Sequence, residues 1–191
     1  MTTDAGAQAS TSGVALIERA KLFGNPTRTA GQLSPDGKWL GFIAPRDGVL
    51  NVWVAPVDAP GQARPLTAEK TRPIRSYFWS PDSRQILFVN DKGGDENFLL
   101  YGVDLATGRQ KALTPFEKTR VQIVGTSDTI KDRILVGVNN RDPRWHDVYS
   151  LDLKSGALTL VMKNDGYAGF DADEQLKLRD AVKPKIGRAH V

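Results

Sequence analysis

Residues 33–43 (LSPDGKWLGFI) recur as a near copy at 79–89 (WSPDSRQILFV), and this repeat limits the folds open to the chain more than any other feature. Ser34-Pro35-Asp36-Gly37 suits a type I turn, with a side-chain acceptor first, proline presetting φ second and glycine relaxing the exit fourth. The apolar run behind each turn, bounded by turn signals and rich in Ile, Leu, Phe and Val, predicts a strand buried on both faces.

The register persists beyond the turn. Ser34 and Ser80 lie 46 positions apart, Val57-Asp58 recurs 46 positions on as Val103-Asp104, and Leu66-Thr67 recurs after 47 as Leu113-Thr114. Glu69-Lys70-Thr71-Arg72 returns as Glu117-Lys118-Thr119-Arg120, and Asp104 is matched 48 positions later by Asp152. The third unit has a worn turn, Thr126-Ser127-Asp128-Thr129, and a fourth begins at Tyr167-Ala168-Gly169-Phe170.

Each unit reads as four strands. In the second they are Ile74 to Ser80, Gln85 to Asn90, Asn97 to Asp104 and Gln110 to Thr114. A period of about 40–50 residues with four short strands per unit is the signature of a β-propeller blade. The expected fold class is therefore all-β, a partial propeller of three four-stranded blades and the start of a fourth, forming an open arc. The blades fall at about 29–67, 74–114 and 120–162, with the fourth starting over 167–182. Trp39, Trp53, Trp79 and Phe88 are expected to pack between blades, since a blade buries its faces only by stacking. An open arc leaves apolar surface at its C-terminal edge and is expected to aggregate in isolation.

Residues 1–28 read as a polar tail followed by a covering segment, with a short helix or irregular stretch over Val14 to Leu22. The tail has no apolar core of the signal-peptide kind. The expectation is thus a cytoplasmic protein, with the periplasm left open. At the other end, residues 186–191 (IGRAHV) match the translation of a common sequencing adapter, so the natural sequence is expected to end near Lys185, leaving His146 as the one histidine.

Composition excludes several functions. There is no cysteine, so no disulfide or thiolate metal site is available. The net charge of +4 comes from 26 basic and 22 acidic residues that alternate without blocks. Neither a basic stripe nor an aromatic stacking platform points to nucleic acid, and no run is long and apolar enough for a membrane span. No cofactor and no metal is expected.

A group of motifs carries a resemblance: Leu22-Phe23-Gly24-Asn25-Pro26, Leu33-Ser34-Pro35-Asp36-Gly37, residues 47–54 (DGVLNVWV), Gly94-Asp95-Glu96-Asn97 and residues 141–147 (RDPRWHD). In this order the chain resembles the N-terminal propeller of the prolyl oligopeptidase family of serine peptidases, in its acylaminoacyl-peptidase-like and dipeptidyl-aminopeptidase-like branch. The Ser-Pro-Asp-Gly turn alone is shared with TolB-like propellers. The resemblance implies a propeller that gates small peptides into an α/β-hydrolase domain performing acyl transfer, with that domain as partner and a peptide as substrate.

The residues carry no catalytic machinery of that kind. Gly-x-Ser-x-Gly is absent, and His146 and Asp147 are strand neighbours that point to opposite faces, unlike a base and its orienting carboxylate. No catalytic residue is assigned, and the fragment alone is expected to be inactive. Three substrate-facing candidates remain. Glu96, in the Asp91 to Asn97 loop, could hold a peptide's free amino group, as acidic propeller residues do in related dipeptidyl peptidases. Arg144 and His146, in the polar stretch Arg141 to Asp147, could meet a substrate carbonyl or carboxylate. Against these stands a solvated hairpin in the first case, and in the second a structural loop whose arginines pair locally and whose tryptophan packs. Arg72 and Arg120, equivalent in register, are expected to pair with Glu69 and Glu117. A TolB-like protein-binding platform is the alternative function, and an enzyme with its site inside the propeller is a third.

Overall fold

The computed structural model describes residues 17–19 and 26–184. The tail at 1–13, the helix or irregular stretch expected over Val14 to Leu22 apart from 17–19, the 22–25 part of its neighbouring motif and the adapter-like residues 186–191 lie outside the described residues.

Fourteen strands are formed among the described residues. They make three four-stranded antiparallel sheets in simple meander order and one two-stranded sheet. The first sheet holds β1 (Thr29–Leu33), β2 (Trp39–Arg46), β3 (Val49–Pro56) and β4 (Arg64–Pro65). The second holds β5 (Phe78–Trp79), β6 (Gln85–Asn90), β7 (Leu99–Asp104) and β8 (Gln110–Ala112). The third holds β9 (Val121–Gly125), β10 (Arg133–Asp142), β11 (Trp145–Asp152) and β12 (Leu158–Met162). The last pairs β13 (Gly169–Ala172) with β14 (Leu178–Val182). This is the open, partial propeller expected.

The repeated motifs do the same local work in each blade. Gly37 N donates to Ser34 O at 2.8 Å, and Ser34 Oγ donates to Asp36 Oδ1 at 2.5 Å while accepting from Trp39 N. Ser80 repeats this with Ser83, Asp82 and Gln85. Where Gly37 takes φ +71°, Ser83 takes φ +62°, a conformation that disfavours side chains. Its hydroxyl has a use there, because Ser83 Oγ accepts from Asp36 N of the preceding blade at 3.0 Å. The Leu-Thr repeat closes the other end. Thr67 Oγ1 accepts from Val52 N and Thr114 Oγ1 from Leu100 N, both at 2.9 Å, so each buried threonine takes up an amide that the short outer strand leaves unpaired.

Several expected strands are shorter than the sequence suggests. The stretch from Ile74 to Ser80 pairs only at Phe78–Trp79, because Ile74 N is committed to Leu50 O of the preceding blade at 2.9 Å. Gln110 to Thr114 ends as a strand at Ala112, because the Thr114 hydroxyl takes over.

The core lies between blades. Ile43, Val52 and Val54 of the first blade meet Ile74, Trp79, Ile86, Phe88 and Val103 of the second. Leu87 and Leu100 face the opposite way, onto Val136, Val138 and Leu151 of the third. Consecutive Ile86, Leu87 and Phe88 are thus all buried, each face of β6 serving a different seam. Of the four aromatic residues expected between blades, Trp39, Trp79 and Phe88 join the first seam. Trp53 does not. Strand alternation turns it away from Val52 and Val54, and its indole N–H donates to Ala44 O at 3.2 Å within its own sheet. Close approach explains one glycine: a Cβ at Gly41 would lie 2.9 Å from the Tyr77 hydroxyl, which crosses the seam to Ala30 O.

Candidate functional site

In each blade the hairpin joining the two middle strands and the linker to the next blade emerge at one end of the sheet. The Ser-Pro-Asp turns and the tips before the outer strands emerge at the other. All three substrate-facing candidates belong to the first, hairpin-bearing end.

Glu96 sits in the β6–β7 loop with φ +57°. Its amide donates to the Asp91 carboxylate at 3.3 Å, and its side chain is 73% exposed. Arg120, from the linker into the third blade, reaches back to it. One guanidinium nitrogen lies 3.4 Å from the Glu96 carboxylate and another donates to the Glu96 carbonyl at 3.2 Å. The same guanidinium acts on His146, which starts on β11. Burial, reinforced by the Arg120 charge, pulls the imidazole below its ordinary value, and its Nε2 is buried without a hydrogen-bond partner. Arg120 therefore holds Glu96 across the seam of the second and third blades, and its charge also bears on His146.

Arg144 is not part of this group. Its side chain is exposed and folds onto Asp142 in a two-pronged contact at 3.1 and 2.8 Å, which holds that carboxyl down at about 2. Arg141 also pairs locally. It grips Asp147 with two 2.8 Å bonds and donates to Asn164 O at 2.6 Å. The polar stretch from Arg141 to Asp147 thus ties the β10–β11 hairpin to the linker beyond β12, as a structural loop would.

The pairing expected for the register-equivalent arginines is corrected. Arg72 binds Asp91 at 2.7 Å and Arg120 binds Glu96, while Glu69 accepts from Gln110. The reason lies in the hairpin strands. Asp91 follows Asn90, but Asn140 follows Asn139 at the matching place of the third blade, so Arg120 has no equivalent carboxylate and turns to the preceding blade. Sequence reasoning missed Arg120 as the residue that holds Glu96 across the seam. The signal available was the missing acid at position 140.

Beside Glu96 is a cleft of about 550 Å³. Leu99, Pro115 and Phe116 give it apolar wall, and Lys92, Asp95 and Glu117 give it charge. Among the described residues no cluster of three or more His, Cys, Asp or Glu side chains is placed to hold a metal ion, and no helix is long and apolar enough to cross a membrane.

The His146 environment makes stability depend on pH. The unfolded imidazole titrates near 6.5 and the folded one lower. The contribution of the neutral, half-buried ring is full above that unfolded value and is lost as pH falls below it. The denaturation midpoint is expected to drop between about pH 7.5 and about pH 5.5, and His146→Gln is expected to flatten that slope. An unchanged slope in the variant would assign the titration elsewhere.

No family model matches the chain. In sequence it is 53% identical over 178 residues to dipeptidyl aminopeptidase BIII of Pseudoxanthomonas mexicana, which takes in 92% of this chain and 26% of that protein. It is 30% identical over 176 residues to dipeptidyl peptidase family member 6 of Caenorhabditis elegans, taking in 88% of this chain and 24% of that one. The chain therefore spans about a quarter of the length of these curated relatives. Among solved structures, the acylaminoacyl peptidase of Pyrococcus horikoshii matches with a TM-score of 0.53 and 23% identity, over 78% of this chain and 27% of that one. TolB from Acinetobacter baumannii matches with a TM-score of 0.51 and 18% identity, over 78% of this chain and 36% of that one. These structural likenesses concern the fold alone. With the repeat and the sequence identity agreeing, the chain is a stretch of β-propeller similar over nearly all of its length to part of a dipeptidyl aminopeptidase.

Proposed function

We propose that this propeller stretch forms part of the substrate-gating wall of a serine peptidase that hydrolyses small peptides by acyl transfer, the reaction being performed by an α/β-hydrolase domain outside this chain. The observation that carries the reading is the 53% identity, over nearly all of the chain, to a protein named as a dipeptidyl aminopeptidase. Fold likeness does not favour the TolB-like alternative, because TolB and a peptidase match the chain almost equally well.

Within this reading Glu96 receives the free amino group of the peptide. Its carboxylate is open to solvent at the hairpin-bearing end, and its contact with Arg120, at 3.4 Å, is long beside the 2.7–2.9 Å of a good charge-assisted bond. An ammonium group can displace so loose a partner. The adjacent cleft, with Leu99 and Phe116 in its wall, then accepts an apolar side chain of the substrate. The His146 imidazole, pulled below its ordinary value by burial and by the Arg120 charge, adds little competing positive charge near neutral pH. Arg144, held by Asp142, stays at the rim.

The test uses the full-length protein and dipeptide p-nitroanilides with free or acetylated amino termini. Glu96→Gln is expected to raise KM about tenfold for the free-amine substrate, as loss of one charge-assisted bond would, with kcat little changed and the acetylated substrate unaffected. An equal effect on both substrates, or none, would remove Glu96 from the role. Absence of all peptidase activity in the full-length protein would remove the reading as a whole.

A further inference from the structure

We propose that the cleft between the second and third blades, at the end of the sheets opposite Glu96, binds a small soluble phosphate-bearing anion of the pyrophosphate or phosphate-ester class. The cleft encloses about 450 Å³. Three cations converge on it from three places: Arg109 at the tip before β8, Lys111 on β8, and Lys154 in the turn between β11 and β12.

No carboxylate grips any of the three: among the described residues none of them forms an ion pair. The one carboxylate in the wall, Asp104, is already engaged by the Thr107 amide at 2.8 Å and hydroxyl at 2.7 Å, and Arg84 adds positive charge beside it. Asp152 is taken in the same way by the Ser155 amide and hydroxyl, both at 2.7 Å. Asp132 is occupied by Arg133 in a two-pronged contact. Asp104 stays ionised and offsets one of the three charges, but its contacts within the turn keep it from pairing with a cation, so the wall retains a positive excess.

The cleft is also built rather than incidental. Gln85 crosses its floor, donating from Nε2 to Leu153 O of the next blade at 2.8 Å, and Gly102 makes room for that amide, since a Cβ there would lie 2.6 Å from Gln85 Oε1. Lys111 spans the seam to Ser155 O at 3.0 Å, passing over Gly156, where a Cβ would lie 2.8 Å from the ammonium. A planar guanidinium fork and two ammonium groups around one cavity suit the oxygens of a multiply charged phosphate better than a single carboxylate, because each oxygen can take its own donor. Bound there, the anion joins β8 to the third blade and stiffens the seam.

The full-length protein is titrated with sodium pyrophosphate, against sodium chloride at matched ionic strength, by calorimetry and by thermal melting. The expected result is saturable binding and a raised melting temperature with pyrophosphate only. The double variant Arg109→Gln, Lys154→Gln, both exposed, is expected to weaken binding about tenfold or more, since it removes charge-assisted bonds. Lys70→Gln with Lys118→Gln, which removes the same charge from the linkers at the opposite end, is expected to leave it unchanged. Equal weakening in both double variants would reduce the effect to overall charge and overturn the site. So would absence of pyrophosphate binding, including the case in which only heparin or phosphatidate vesicles bind.

Discussion

Replacing Asp147 by alanine is expected to destabilise the protein by about 3 kcal/mol, at the lower end of what is seen when one partner of a buried ion pair is removed. The carboxylate is 2% exposed and accepts two bonds from Arg141 and one from the Asn164 amide at 2.7 Å. Alanine leaves that buried amide unsatisfied and the guanidinium without its main counter-charge. The cost stays near the lower end because Arg141 is partly exposed and has Asp165 at 3.2 Å as a second acid. Urea unfolding of Asp147→Ala beside Asp165→Ala checks this. A loss for Asp147→Ala no larger than for the exposed Asp165 would show that the buried bonds are not what matters.

A loss of about 3–5 kcal/mol is expected for Phe88→Ala, the range for emptying a buried aromatic site. Phe88 is 1% exposed in the first seam and stacks on Tyr101 with ring centres 5.3 Å apart. Its neighbours come from two blades, among them Ile43, Val52 and Ile86, and both backbones are pinned by their own ladders, so the cavity cannot close by a small shift. Ile123→Ala, at a residue 39% exposed on β9, is expected to change stability by about 0.5 kcal/mol or less. Comparable midpoints for the two variants would mean that the seam is not closely packed.

The blade pattern was legible because one turn and one threonine recur at nearly constant spacing, and because each has a local job that sequence alone can state. Ser34 and Ser80 close their turns as their residue types require, and Thr67 and Thr114 sit in register because both receive an amide of the neighbouring strand. The face that Trp53 takes was harder to read. In a strand buried on both sides the apolar pattern is continuous, so it does not say which residues look toward which seam. Side-chain pairing was the least legible. Proximity in sequence suggested Glu69 and Glu117 for the two arginines, whereas the acids they bind lie 19 and 24 positions away, brought near by strand pairing. Of the candidate site, Glu96 and His146 could be named from residue type and loop position. The hold of Arg120 on Glu96 depends on a seam that only the fold creates.

Five of the bonds that cross the seams share one form. Tyr77 reaches Ala30 O, Trp79 reaches Gln32 O, Arg64 reaches Leu105 O, Gln85 reaches Leu153 O and Ser127 reaches Glu174 O. In each the donor is a particular side chain and the acceptor is a main-chain carbonyl, which every residue possesses. One blade can therefore change its sequence at these acceptor positions without its neighbour having to change in step. A tandem array joined in this manner tolerates independent drift of its units, which fits blades that share a rhythm of turns and threonines while differing at most of the positions between.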